Sequence, residues 1–214
     1  MNEIAPSLEE LVDRIADLRA TAPESRRLLI GIAGAPGAGK TWLAEQLVAE
    51  LWAADIPTAH VPMDGFHLAD IALEQLGRQD RKGAPDTFDA GGFAALLTRL
   101  AAGEEVWAPA FERHLEQPLA QAIHVGAEAE VIISEGNYLL LHAHEWRAVR
   151  RWLDEVWFCA LDDDLRRERL VARHIEFGKA PEQARDWVMR VDEANAQLVA
   201  HGAADADLLV DLSL

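Results

Sequence analysis

The chain has 214 residues, with 20 Lys and Arg against 37 Asp and Glu and a formal net charge of −17. That balance excludes a general binder of nucleic acid or anionic membrane, since both need a basic surface. Half the residues are hydrophobic and Cys159 is the single cysteine. The length suits one α/β domain with a full core, and no disulfide can form within it.

Pro6 and a Ser7/Glu10 capping box open a helix over about residues 7–18, with Leu8, Leu11, Val12, Ile15 and Leu18 as its apolar stripe. The N-terminus is acidic and amphipathic, unlike a signal peptide. No apolar run approaches the roughly 18 residues of a membrane span. The expected location is the cytoplasm. A short linker over residues 21–25 leads to a buried strand, Leu28 to Ile32.

Gly34-Ala35-Pro36-Gly37-Ala38-Gly39-Lys40-Thr41 follows and fits G-x-x-x-x-G-K-[ST] without substitution. Its glycines allow successive backbone N–H groups to point at phosphate oxygens. A helix from Thr41 to Trp52, with Leu43, Leu47 and Leu51 on one face, sets a positive dipole end under those phosphates. In such a loop Lys40 reaches the β/γ-phosphates and Thr41 offers its hydroxyl to Mg²⁺.

The second strand, Thr58 to Pro62, ends in Met63-Asp64-Gly65-Phe66-His67. Ligands of doubly wound folds sit at strand carboxyl ends, so Asp64 is placed to meet a substrate hydroxyl near the γ-phosphate. The alternative is an N-cap for a helix over 68–76. Residues 78–89 form a polar, turn-rich segment carrying the basic pair Arg81 and Lys82; it reads as a functional loop or a solvated one. Asp89 caps a helix over about 92–101 that buries Phe93, Leu96, Leu97 and Leu100. Strands over 106–111 and 121–125 pair as a small antiparallel flap, with Arg113 and His114 between them. His114 and His124 read as surface or packing residues.

Val131-Ile132-Ile133 marks the next strand, ending at Ser134-Glu135-Gly136-Asn137. Glu135 is the acid placed to support the Mg²⁺ shell; its alternative is a plain surface carboxylate. A helix over 146–152 and a strand over 155–161 follow, with Cys159 as core filler. Asp162-Asp163-Asp164 opens a helix to Phe177 carrying Arg166, Arg169 and Arg173. These arginines span about 60° of arc at ~100° per residue. They suit a lid over phosphates, or else a salt-bridged surface helix. Gly178-Lys179 breaks the helix, Pro181 starts a long one through Leu198, and residues 207–212 form the last strand. The order is that of a single α/β domain over 1–214 with a mostly parallel, doubly wound sheet, flanking helices, an N-terminal helix and linker to residue 25, and a helical lid at 162–180.

With these residues in place, the chain resembles the P-loop kinases of the phosphoribulokinase, uridine kinase and bacterial pantothenate kinase group. It is most similar to members called nucleoside/nucleotide kinase-like or fructose transport system kinase-like. The resemblance rests on Gly34 to Thr41, on Pro62 to Leu68, on Arg81 to Asp89, on Glu135 to Leu140 and on Arg169 to His174. It implies a P-loop NTPase fold and ATP with Mg²⁺. It implies Asp64 as acceptor of the substrate hydroxyl proton, Glu135 as the acid of the Walker B-like strand, and Arg169 and Arg173 as lid arginines. Arg81, Lys82 and Arg113 fall where the acceptor pocket would be, and His67 lies beside Asp64. Leu170 stands where uridine kinases tend to carry a second lid arginine, and Gly65-Phe66 is nearer the pantothenate kinase form.

The reading is an ATP-dependent kinase acting on a small-molecule hydroxyl, without nucleic-acid or membrane partners and able to form a homodimer. A GTPase would need N-K-x-D and an ABC ATPase L-S-G-G-Q; neither occurs. A nucleotide-binding regulatory module without turnover is the alternative.

Overall fold

The computed structural model describes residues 6–23 and 25–213. The first five residues and Glu24, within the expected linker, lie outside that range. Ser7 caps α1 (Leu8–Thr21) through the full capping box: the Ser7 amide donates to Glu10 Oε2 at 2.7 Å and the Glu10 amide to Ser7 Oγ at 3.2 Å. β1 (Leu28–Gly34) is buried along its whole length. Its side chains alternate between two cores. Leu28, Ile30 and Ile32 pack toward α1 and α2 (Lys40–Ala53), while Leu29 and Ala33 face the opposite layer.

That opposite layer is built from α4 (Ala90–Ala101) and α5 (His144–Arg150). The helix α3 (Asp70–Leu76) lies between β2 (Thr58–His60) and α4 in the chain. β2, β5 (Val131–Glu135), β1, β6 (Glu155–Ala160) and β7 (Leu208–Asp211) form one five-stranded sheet in that order, and every pairing is parallel. The chain therefore reverses its winding at β1, where a doubly wound sheet opens a crevice at its carboxyl edge. Ile32 of β1 is in register with Glu135 of β5, which sets Glu135 beside the loop that leaves β1. Cys159 is buried in β6, and burial pushes its thiol up to about 12, as expected of a core filler.

The expected flap is a separate antiparallel hairpin of β3 (Val106–Glu112) and β4 (Gln117–Val125), with β4 starting earlier than the alternation suggested. Gly65 lets this hairpin close on the turn at Met63–Phe66: a Cβ there would stand 2.2 Å from the Pro109 carbonyl oxygen. Arg27, 3% exposed, ties the bottom of the domain together by donating to the carbonyls of Gly103, Glu104, Gly126 and Ala129 at 2.8–3.2 Å.

α6 (Asp163–Glu176) carries the arginine stripe. The long helix expected from Pro181 forms as one unbroken run to residue 200: α7 (Pro181–Trp187) passes through a wider π turn at Val188–Asp192 into α8 (Glu193–Ala200). Asp192 and Asn195 are buried there, and each finds a polar partner, which a helix read only for its apolar positions did not foretell. No helix among the described residues is long and apolar enough to cross a membrane.

Candidate active site

The loop after β1 wraps the N-terminus of α2. Gly37 has φ +79°, and a Cβ there would meet Leu170 Cγ at 2.7 Å, so its missing side chain admits α6 against the loop. Lys40 is buried and its Nζ donates to the Ala35 carbonyl at 3.0 Å and to Asn137 Oδ1 at 2.7 Å. Burial lowers its pKa, while Glu135 and Asp64 oppose the shift. Gly34, Pro36 and Ala38 are buried, Pro36 at the wall of a cleft, whereas Ala35, Gly37 and Gly39 are half-buried.

Two adjoining clefts meet at this loop. The outer one, about 770 Å³, runs along Gly39, Trp42, Arg169 and Leu212. The inner one, about 320 Å³, contains Asp64, His67, Lys82, Glu135 and Asn137. Gly37, Lys40, Thr41, Arg113, Arg173 and Phe177 line both. Three cations stand at that junction, Lys40 from α2, Arg113 from the hairpin turn and Arg173 from α6, and Asp64 faces them from the inner cleft.

Asp64 does not cap a helix. It sits in a 3₁₀ turn, and α3 begins later, with Ala69 at its cap position. Arg113 stands 3.7 Å from the Asp64 carboxylate. Burial pushes the Asp64 carboxyl up, but His67, Arg113, Lys40 and Arg173 together outweigh it and hold the group below its ordinary value. Glu135 goes the other way: burial and then the neighbouring Asp64 raise it. Two nearby carboxyl groups pushed in opposite directions are a mark of divided acid–base duties. His67 is half-buried, and its desolvation lowers its pKa; its Nδ1 lies 2.8 Å from the Asp64 carbonyl oxygen.

Thr41 Oγ1 donates to Glu135 Oε1 at 2.9 Å. A hydroxyl and a carboxylate are hard oxygen donors, and they fit Mg²⁺ completed by phosphate oxygens and water. Among the described residues no group of three or more His, Cys, Asp or Glu gathers to hold a metal unaided. The donor set therefore fits a metal that arrives with its nucleotide.

The arginine stripe divides. Arg173 lines both clefts and Arg169 the outer one. Arg166 is 2% exposed and takes the salt-bridged alternative: it donates to Asp163 at 3.1 Å, to Glu193, and to the Pro36 carbonyl at 3.3 Å. Arg81 is not brought to either cleft; it is exposed and pairs with Asp86 at 2.8 Å and Asp80 at 3.5 Å. This corrects its expected place in an acceptor pocket, because the 3₁₀ turn at Gln79–Arg81 aims consecutive residues apart. Lys82 does line the inner cleft and is held by Asp70 at 2.7 Å and by the Glu116 carbonyl.

Sequence reasoning assigned no role to Asn137, His174, Asp192 or Asn195, all of which line the inner cleft. The available signal was polar residues at i and i+3, Asp192 and Asn195, in a helix otherwise read for its apolar face.

Fold and loop define a P-loop NTPase. Residues 29–213 match the model of the Phosphoribulokinase / Uridine kinase family. The chain belongs to that family of kinases. It is 30% identical to the uncharacterized protein YggC of Escherichia coli K12, over 99% of this chain and 88% of that one. It is 31% identical to the Schizosaccharomyces pombe protein named "Putative uridine kinase C227.14", over 95% and 90% of the two chains. Among solved structures, the "putative fructose transport system kinase" of Silicibacter sp. TM1040 superposes with a TM-score of 0.87 at 37% identity, over 95% of this chain and 98% of that one.

Proposed function

We propose that this chain transfers the γ-phosphoryl group of ATP to a hydroxyl of a small-molecule acceptor, in the cytoplasm and as one kinase domain. The observation that carries the reading is the pair of clefts sharing Lys40, Thr41, Arg113 and Arg173, with Asp64 and Glu135 in the inner one alone. ATP would lie in the outer cleft with its phosphates on Gly34 to Thr41, and the acceptor would lie in the inner cleft. Bound Mg²⁺, held by Thr41 and Glu135, would supply charge neutralisation at the phosphates.

Asp64 is ionised at neutral pH and orients the acceptor hydroxyl, taking its proton as the oxygen attacks. Lys40 already points into the phosphate site through its contacts with Ala35 and Asn137. It holds the transferring group, while Arg173, Arg113 and Arg169 offset its charge. His67 and Lys82 shape the acceptor side. Two of the similar proteins are named "Putative uridine kinase" and "putative fructose transport system kinase", and both names suit an alcohol acceptor.

The test is acceptor-dependent ADP release from Mg·ATP. Lys40→Met should lower the rate by about 10²–10³ while leaving the circular dichroism spectrum unchanged. Equal turnover in Lys40→Met and the parent would overturn the reading.

A further inference from the structure

The distal end of the inner cleft is built on the π turn and α8. Asp192 and Asn195 are both buried as residues, at 8% and 7% exposure, and the Asp192 side chain keeps 11% of its surface open. They are three residues apart on one helical face, and both line the cleft.

Their hydrogen bonds settle what they offer. Asp192 Oδ2 lies 2.9 Å from His174 Nε2, and its second oxygen has no partner among the described residues. Asn195 Nδ2 donates to the Gly83 carbonyl at 3.3 Å. A carbonyl can only accept, so the amide nitrogen must face Gly83 and the amide oxygen is the end left over. Tyr138 donates its hydroxyl to the same carbonyl, which fixes Gly83 in place. Asp192 and Asn195, three residues apart on the cleft wall, therefore each keep one acceptor oxygen without a hydrogen bond among the described residues. Of the cleft cations, Lys82 is already engaged by Asp70 and Glu116, and Arg173 feels the charges of both Asp192 and Asp64. Lys179 lies over the Trp187 ring at 5.1 Å.

Acceptor oxygens want donors from the ligand. A carboxylate or phosphate has none to give and would be repelled by Asp192. A neutral compound with several hydroxyls can satisfy both oxygens and still present one hydroxyl to Asp64. The volume, about 320 Å³, is at the small end for a ligand pocket. Phe111, Phe177 and Trp187 line the same space and can cover the C–H face of such a ligand.

We propose that Asp192 and Asn195 select a neutral polyhydroxylated acceptor, a monosaccharide or sugar alcohol, against anionic hydroxy acids and sugar phosphates. The proposal rests on the kinase reading for the direction of the cleft, but its test is binding and not turnover. Asp64→Asn protein with Mg·ADP is titrated calorimetrically with D-fructose, D-mannitol, uridine, D-glycerate and D-fructose 6-phosphate. One of the neutral polyols should bind at least tenfold more tightly than either anion or the nucleoside.

Adding Asp192→Asn should invert this preference. His174 keeps the amide oxygen, and the amide nitrogen then presents a donor where an acceptor stood. Polyol affinity should fall by tenfold or more while the anions gain; a merely structural role would weaken every ligand alike. Preference for an anion or for uridine with Asp192 intact overturns the proposal, as does binding of no polyol by a protein that still binds Mg·ADP. Either result leaves the kinase reading to its own Lys40 test.

Discussion

Arg166 is the residue whose removal separates a buried ion pair from an exposed one on the same helix. Its side chain is 3% exposed, and it meets Glu193, whose side chain is 12% exposed. Arg167 reaches the same Glu193 at 2.8 Å but is 33% exposed. Breaking a buried pair by removing one partner costs about 3–5 kcal/mol, because the other charge stays buried. Arg167 still compensates Glu193, so the lower end applies. The lost bond to the Pro36 carbonyl is long, and contributes ~1 kcal/mol or less. Arg166→Met fills the same space, which leaves the cavity term small. The expected loss is about 3 kcal/mol, or roughly 6–12 °C in Tm for a chain of this size.

Urea unfolding of the apo protein measures the loss, and ATP titration reads its local consequence, since the Pro36 carbonyl belongs to the phosphate loop. Arg167→Met should change stability far less. The double variant Arg166→Met, Glu193→Leu should recover most of the loss by removing the stranded charge with its partner. A loss below about 1 kcal/mol for Arg166→Met, or one no larger than that of Arg167→Met, would refute the argument that burial makes this pair matter.

Two further outcomes are expected. The Asp64 carboxyl lies below its ordinary value and that of Glu135 above it, so on acidification Glu135 takes its proton first. The apparent affinity for Mg²⁺ should weaken as pH falls through the raised Glu135 pKa while kcat at saturating metal holds; a kcat limb appearing first would contradict the division of roles. Arg27→Met should leave four carbonyls without their donor and cost at least about 3 kcal/mol in urea unfolding, with no change in nucleotide affinity beyond that expected from stability. Loss of less than ~1 kcal/mol would show that water replaces the guanidinium there.

Much of this architecture is local chemistry that a sequence states openly. The capping box of Ser7 and Glu10 needs only residues three apart, and it forms as expected. The phosphate loop is a contiguous motif whose glycines specify its backbone. β1 reads as buried because it has apolar residues facing both layers. Asp64 and Glu135 are visible as acids at strand ends, and parallel pairing brings such ends to one edge.

What only the tertiary structure decided are the matters of partner and side. The arginines at 166, 169 and 173 share a stripe, yet Glu193, far along the chain, buries the first of them and turns it into a brace for the loop. Arg81 and Lys82 are adjacent in sequence and indistinguishable there. A 3₁₀ turn sends one to Asp86 in solvent and the other to Asp70 in the cleft. The approach of the hairpin to Asp64 depends on Pro109 meeting Gly65, a contact between segments more than forty residues apart, and it is this contact that brings Arg113 to the acid. Periodicity reports which face of an element is apolar. It carries no information on which distant charge a polar residue will meet, and that meeting sets whether the residue braces the fold, holds a phosphate or selects a substrate.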